Sequence, residues 1–210
     1  MGLFVFQSLN ENTKFKSALS ITLILLTLSC LSIVISWQEE VPYLEDIEEK
    51  IFSELSPSII AISPGEYHTC AILHDGTVSC WGYNGIGQLG GGATIDSNTP
   101  TQTSSLGTNR TAVAITGGNS HTCTLLDDGS VSCWGYNSKG QLGDGTTTDR
   151  NTPTQTSSLG TDRTAVAITA GLYHTCAILD DGSVSCWGYN SKGQLGDGTT
   201  TDRNTPTQTS

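Results

Sequence analysis

From Ala61 onward, apolar residues fall in runs of four to six, broken by clusters of Gly, Asp, Asn and Thr. Between residues 111 and 156 this pattern predicts four short strands. Thr111–Ile115 is the first; His121–Leu126 and Ser130–Trp134 flank Asp127-Asp128-Gly129; Pro153–Thr156 begins the fourth. Turn-forming residues separate them, so each set reads as a four-stranded antiparallel sheet. Within the hairpin at His68, Ala71 and Leu73 alternate with Ile72 and Val78, which makes both faces of the sheet apolar. Such a sheet must be covered on both sides.

The pattern recurs. His-Thr-Cys triplets stand at 68, 121 and 174, a period of 53 residues. A fixed period of this size marks an array of supersecondary units. The expected fold is all-β: a partial β-propeller of three four-stranded blades over 61–210, divided as 61–113, 114–166 and an incomplete 167–210.

Each unit carries two cysteines ten residues apart, Cys70/Cys80, Cys123/Cys133 and Cys176/Cys186. A three-residue hairpin loop closing on a left-handed glycine (Gly76, Gly129, Gly182) sets each pair face to face. A non-hydrogen-bonded pair brings the Cα atoms to about 4.5 Å, within disulfide reach. Disulfides are the expectation; free buried thiols and a His68-Cys70-Cys80 metal site are the alternatives. A structural zinc needs a fourth ligand, and none is evident nearby.

The first sixty residues have a different character. Ala18–Ile35 is an uncharged apolar stretch preceded by Lys14 and Lys16 and followed by glutamates. It predicts a membrane anchor or signal helix over 17–37, with a cytoplasmic tail at 1–16 and the remainder outside. Residues 38–60 form an acidic linker. Leu44, Ile47, Ile51 and Leu55 predict a short amphipathic helix over Pro42–Leu55. Export would place the repeats on the cell surface or in the medium, where disulfides persist.

Net charge is −11, from 20 acidic and 9 basic residues, which disfavours nucleic-acid binding. His, Ser and Asp recur identically in each unit, whereas a catalytic site surrounds one group with unlike partners. No enzyme, cofactor or metal is expected. The loops Asp144–Asp149 and Asp197–Asp202 lack the dense oxygen ligands of a calcium site, and turn capping is the preferred reading. Trp81, Trp134 and Trp187 are assigned to packing between units.

Specific recognition belongs where the copies differ. Residues 114–157 and 167–210 differ at only five positions: 117/170, 119/172, 120/173, 124/177 and 125/178. The loop before each His-Thr therefore supplies a candidate binding rim of Glu66, Tyr67, Asn119, Ser120, Leu172 and Tyr173. Its expected partner is a protein or a glycan.

At HTCAILDDGSVSCWGYNSKGQLGDGTTTDRNTP, residues 174–206, the chain resembles the regulator of chromosome condensation repeat family. The resemblance covers 61–210 and implies a propeller, seven-bladed in the best-known members. Members include guanine-nucleotide exchange factors, protein inhibitors and receptor ectodomains; the cysteine-bearing form is similar to secreted or surface prokaryotic versions. A small-GTPase regulator and an inhibitor of a secreted enzyme are thus the alternative functions. The chain stops inside the motif, at TPTQTS, so a truncated reading frame is expected, with self-assembly of three-blade arcs as the second choice.

Overall fold

The computed structural model describes residues 58–210. Twelve strands form three four-stranded antiparallel sheets. Blade 1 contains β1 (Ile59–Pro64), β2 (His68–Leu73), β3 (Val78–Gly82) and β4 (Ser97–Gln102). Blade 2 contains β5 (Ala112–Gly117), β6 (His121–Leu126), β7 (Val131–Gly135) and β8 (Arg150–Gln155). Blade 3 contains β9 (Ala165–Ala170), β10 (His174–Leu179), β11 (Val184–Gly188) and β12 (Arg203–Gln208). Strand order within each sheet follows the chain. The expected anchor or signal helix over 17–37 and the helix over 42–55 lie outside the described residues. Among those described, no helix is long and apolar enough to cross a membrane.

The central hairpin has the anticipated register. Leu73 N donates to Thr77 O and Gly76 N to Leu73 O, both at 2.9 Å, closing a three-residue loop with Gly76 at φ 76°. Cys70 therefore pairs with Cys80, Cys123 with Cys133 and Cys176 with Cys186. Each pair is at bonding distance with Cα atoms 4.1 Å apart. The fourth strand starts earlier than the apolar pattern suggests, at Arg150 rather than Pro153. Its first residues are polar because the strand lies at the sheet edge, where side chains meet solvent.

Blades join through a seam that repeats. Cys70, Ile72, Val78, Cys80 and Leu89 of blade 1 pack against Ala112 and Trp134 of blade 2. The corresponding Cys123, Leu125, Val131, Cys133 and Leu142 pack against Ala165 and Trp187 of blade 3. Polar bonds thread this apolar contact. Thr122 Oγ1 donates to Gln88 O at 3.1 Å, so it must accept from His68 Nε2 at 2.8 Å. A hydroxyl has one proton to give, which fixes His68 as the Nε2–H tautomer. The second seam repeats the chain from His121 Nε2 to Thr175 Oγ1 (3.0 Å) and on to Gln141 O (2.9 Å).

Glycine lets the tryptophan in. A Cβ on Gly143 would stand 2.7 Å from Trp187 Nε1, and one on Gly90 the same distance from Trp134 Nε1. The Gly-Gln-Leu-Gly motif is thus the floor on which the next blade's indole rests. Trp134 and Trp187 have no exposed surface, whereas Trp81, with no blade before it among the described residues, is half-buried.

Candidate functional site: a tyrosine rim at the open end of the hairpins

Two loops meet at the open end of each central hairpin. Gly82, Gly135 and Gly188 follow the tryptophans with φ near 100° (107°, 98° and 106°). A Cβ on Gly135 would lie 2.4 Å from Ser120 O. Only glycine tolerates both the dihedral and the approach. The chain then reverses, and the next residue's amide bonds back to the loop before His-Thr. Tyr83 N donates to Tyr67 O, Tyr136 N to Ser120 O and Tyr189 N to Tyr173 O, each at 2.8 Å.

This geometry brings the sequence-derived rim residues into one row. Glu66 N donates to Asn119 O at 3.4 Å, and Asn119 N to Leu172 O at 3.1 Å, so the three loops are bonded across the blades. Tyr67 and Leu172 are 66% and 64% exposed. Glu66 is also exposed, and its carboxylate raises the Tyr67 phenol above its ordinary value. Ser120 behaves differently: it is buried, with its hydroxyl donating to Asn119 Oδ1 at 2.8 Å. It braces the rim more than it faces solvent.

Tyr173 lies edge-on to two further tyrosines, with ring centroids 6.3 Å from Tyr136 and 6.4 Å from Tyr189. These rings, with Asn119, Ser120, Lys139 and, from blade 1, Ile86, line an open cavity of about 470 Å³ that reaches across the three blades. Lys139 Nζ lies 5.3 Å from the Tyr189 ring centre and 3.6 Å from Asp202 Oδ2. Tyr136, Tyr189 and Lys139 were not legible from a comparison of copies, because the tyrosine is the same in all three units. The available signal was Trp-Gly-Tyr, in which a left-handed glycine turns the next side chain outward.

Other cavities, of about 640 and 380 Å³, lie at the opposite, turn end of blades 3 and 2. They adjoin one another, sharing Ser158, Leu159 and Arg163, and each is bordered by a member of a repeated ion pair, Arg163 to Asp181 at 3.0 Å and Arg110 to Asp128 at 2.9 Å. Repetition of the ion pair marks it as a feature of the frame.

The aspartate loops act as turn caps. Asp144 Oδ1 accepts from Thr146 N at 2.9 Å and Thr146 Oγ1 at 2.7 Å, while Oδ2 accepts from Arg150 Nε at 2.8 Å. Burial alone pushes Asp144 up; the Thr146 donors and the Arg150 guanidinium reverse that and hold it below its ordinary value. Both oxygens are occupied by donors, as is the case at Asp197. Asn137, fully buried, ties the same loop down through Leu142 N, Thr146 O and Thr148 O. Among the described residues, no group of three or more His, Cys, Asp or Glu converges as a metal site.

Burial holds the two seam histidines, His68 and His121, neutral. His68 is lowered from 6.5 to about 4 by desolvation. His121 falls to about 3 by desolvation, with repulsion from His68 and His174 adding to it. Neither ring reaches the rim's solvent, so neither offers acid–base chemistry to a ligand there.

Comparison with known proteins agrees with the repeat and the sheets. The Regulator of chromosome condensation (RCC1) repeat matches residues 75–125, 128–178 and 181–210, and in a second form 59–88, 112–141 and 165–194. The Ultraviolet-B receptor UVR8 of Arabidopsis thaliana is 32% identical over 160 residues, covering 76% of this chain and 36% of the receptor. The human E3 ubiquitin-protein ligase HERC2 is 34% identical over 141 residues, covering 67% of this chain and 3% of the ligase. Among solved structures, Prp20p from Saccharomyces cerevisiae superposes with a TM-score of 0.65 at 22% identity, over 72% of this chain and 38% of Prp20p. This chain spans little more than a third of the plant receptor's length. Three matched repeats over three four-stranded blades establish that the chain belongs to the Regulator of chromosome condensation (RCC1) repeat family.

Proposed function

We propose that this protein is a non-catalytic binding scaffold that captures a protein partner on its tyrosine rim. The observation carrying this reading is the composition of that rim. Tyrosine gathers at one end of all three blades, joined by Asn119 and Ser120 of blade 2 and by the lysines of blades 2 and 3, and backbone bonds rather than flexible loops hold the row. Tyrosine offers a large amphipathic contact at low entropic cost, and Asn and Ser adapt to polar groups, the chemistry of protein paratopes. Regulatory and binding roles among its relatives point the same way, and an enzyme's activity in HERC2 attaches to a protein of which this chain matches 3%.

The partner meets the rim outside the cytoplasm, with the protein held by its 17–37 segment or released. Three cysteine pairs at bonding distance support an oxidising compartment. Residues 38–58 act as the spacer between that segment and the first blade, since Ile59 and Ile60 already belong to β1.

Lys139 and Lys192 are the only lysines in the repeats, and both stand in loops that follow Trp-Gly-Tyr. A membrane-impermeant, amine-reactive cross-linker applied to intact cells should join a partner protein to these two positions. Tyr136→Ala and Tyr173→Ala should abolish the cross-link, while Arg163→Ala at the turn end leaves it. Cross-links seen only after lysis would overturn the location. Cross-links that persist in both tyrosine variants would overturn the rim, and a wild-type signal abolished by added oligosaccharide would assign it to a glycan.

A further inference from the structure

The two linkers between blades match at every position but one. TSSLGTNRT at 103–111 joins blade 1 to blade 2, and TSSLGTDRT at 156–164 joins blade 2 to blade 3. The residue that differs is Asn109 in the first and Asp162 in the second. Both are exposed, and among the described residues they alone, glycine apart, take a left-handed backbone, at φ 55° and 54°. Asn and Asp enter that region more readily than other side chains, so the fold accepts either. Chemically the two are not equal. Asn109-Arg110-Thr111 is an acceptor sequence for an N-linked glycan, and Asp162-Arg163-Thr164 is not. We propose that Asn109 carries an N-linked oligosaccharide.

Asn109 stands alone in this respect: no other asparagine of the chain has Ser or Thr two places on. Its loop is held against blade 2. Arg110 Nε pairs with Asp128 Oδ2 at 2.9 Å, Arg110 Nη1 donates to Gln155 Oε1 at 3.1 Å, and Thr111 N donates to Asp127 Oδ1 at 3.2 Å. Arg110 and Thr111 are thus drawn onto the blade, while Asn109 beside them stays in solvent, as a bulky hydrated substituent requires. The position also suits the rim. Ala112 N donates to Gly76 O at 2.9 Å, which places the linker at the turn end of the hairpins. A glycan there stands at the end opposite Tyr136, Tyr173 and Tyr189 and leaves them free.

The co-reactant is an oligosaccharide carried on a lipid phosphate, delivered by a membrane transferase that reads the threonine at the third position. The bond from the Asn109 carboxamide nitrogen to the anomeric carbon forms as the bond from that carbon to the phosphate oxygen breaks. The nitrogen gives up one proton, and the lipid phosphate leaves with the electron pair. Such transfer takes place on the non-cytoplasmic side of a membrane, so this site rests on the reading that the repeats lie outside the cytoplasm.

The test uses full-length protein purified from its own cells, with intact mass and the peptide holding Asn109 read by mass spectrometry. Wild type should carry one glycan, located on Asn109. Asn109→Asp, which puts the second linker's own residue on the same backbone, should be lighter by that glycan, as should Thr111→Ala. Thr111→Ser should keep it, and Asp162→Asn should add a second. Partner cross-linking through the rim should be the same in Asn109→Asp as in wild type. A wild type without sugar, or one whose sugar survives Asn109→Asp, would overturn the proposal. A membrane-impermeant amine reagent on intact cells separates this failure from that of the location. Lys139 and Lys192 labelled while Asn109 is bare would overturn the glycan alone; lysines labelled only after lysis, with Asn109 bare, would overturn both.

Discussion

The seams and the rim are made by the same residues of chain, yet they follow opposite rules. At the seam, His121, Thr175, Gln141 and Trp187 are completely buried and repeat without change. At the rim, a few residues away in sequence, Tyr67 and Leu172 are two-thirds exposed and their positions vary between copies. Nothing in a single unit separates the two behaviours. Ile178 shows this: its residue type and strand position match Ile72, but with no further blade packed on it among the described residues it is 46% exposed. Burial here is conferred by the next module, and the rim is what stacking leaves in solvent.

The largest expected difference comes from the seam indoles. Trp187→Ala should cost about 3–5 kcal/mol in thermal or denaturant unfolding, by emptying a fully buried site. Trp81→Ala, in the half-buried position at the open end, should cost distinctly less; equal losses would break the comparison between covered and uncovered seams.

Acid comes next. His68 is neutral in the fold down to about pH 4, while an unfolded histidine takes its proton near 6.5. A lowered folded value means the unfolded chain binds more protons, so stability is full above about 6.5 and falls as pH drops toward 4. His68 alone should account for a loss on the order of 3 kcal/mol across that window. Thr122→Val removes the hydroxyl hydrogen-bonded to His68 Nε2 but leaves the burial that sets the window, so melting at stepped pH should show the same window.

Reduction of the cysteine pairs should cost about 2–3 kcal/mol per bridge, since each closes a short loop. The loss should be read by comparing denaturant midpoints with and without reductant. Smallest is the rim: Leu172→Ala and Tyr67→Ala should shift stability by about 0.5 kcal/mol or less.

The fold was largely legible. The alternation around Asp-Gly gave the hairpin, and equal cysteine spacing selected the register that places Cys70 opposite Cys80. Trp134 and Trp187 were assigned correctly because a large aromatic repeated in every unit needs a repeated place to lie. Less was legible of β8, where Arg150 and Asn151 pair in a strand with no apolar signature. Differences between copies pointed to Tyr173 and to Leu172 beside it, but the constant Tyr136 and Tyr189 line the cavity together with Tyr173. Repetition signals structure only for side chains that face a neighbour; Gly135 turns Tyr136 away from one. Buried Ser120 shows the converse, a variable position spent on bracing.

The most direct test reads two properties on one set of variants. Alanine at Tyr136, Tyr173 and Tyr189, and valine at Thr122 and Thr175, should be measured for melting temperature and for partner cross-linked at Lys139 and Lys192. The rim set should lose the partner at an unchanged melting temperature, and the seam set should lose partner only in proportion to its fall in stability. Rim variants that unfold, or that keep the partner while seam variants lose it at full stability, would contradict the division of labour described here.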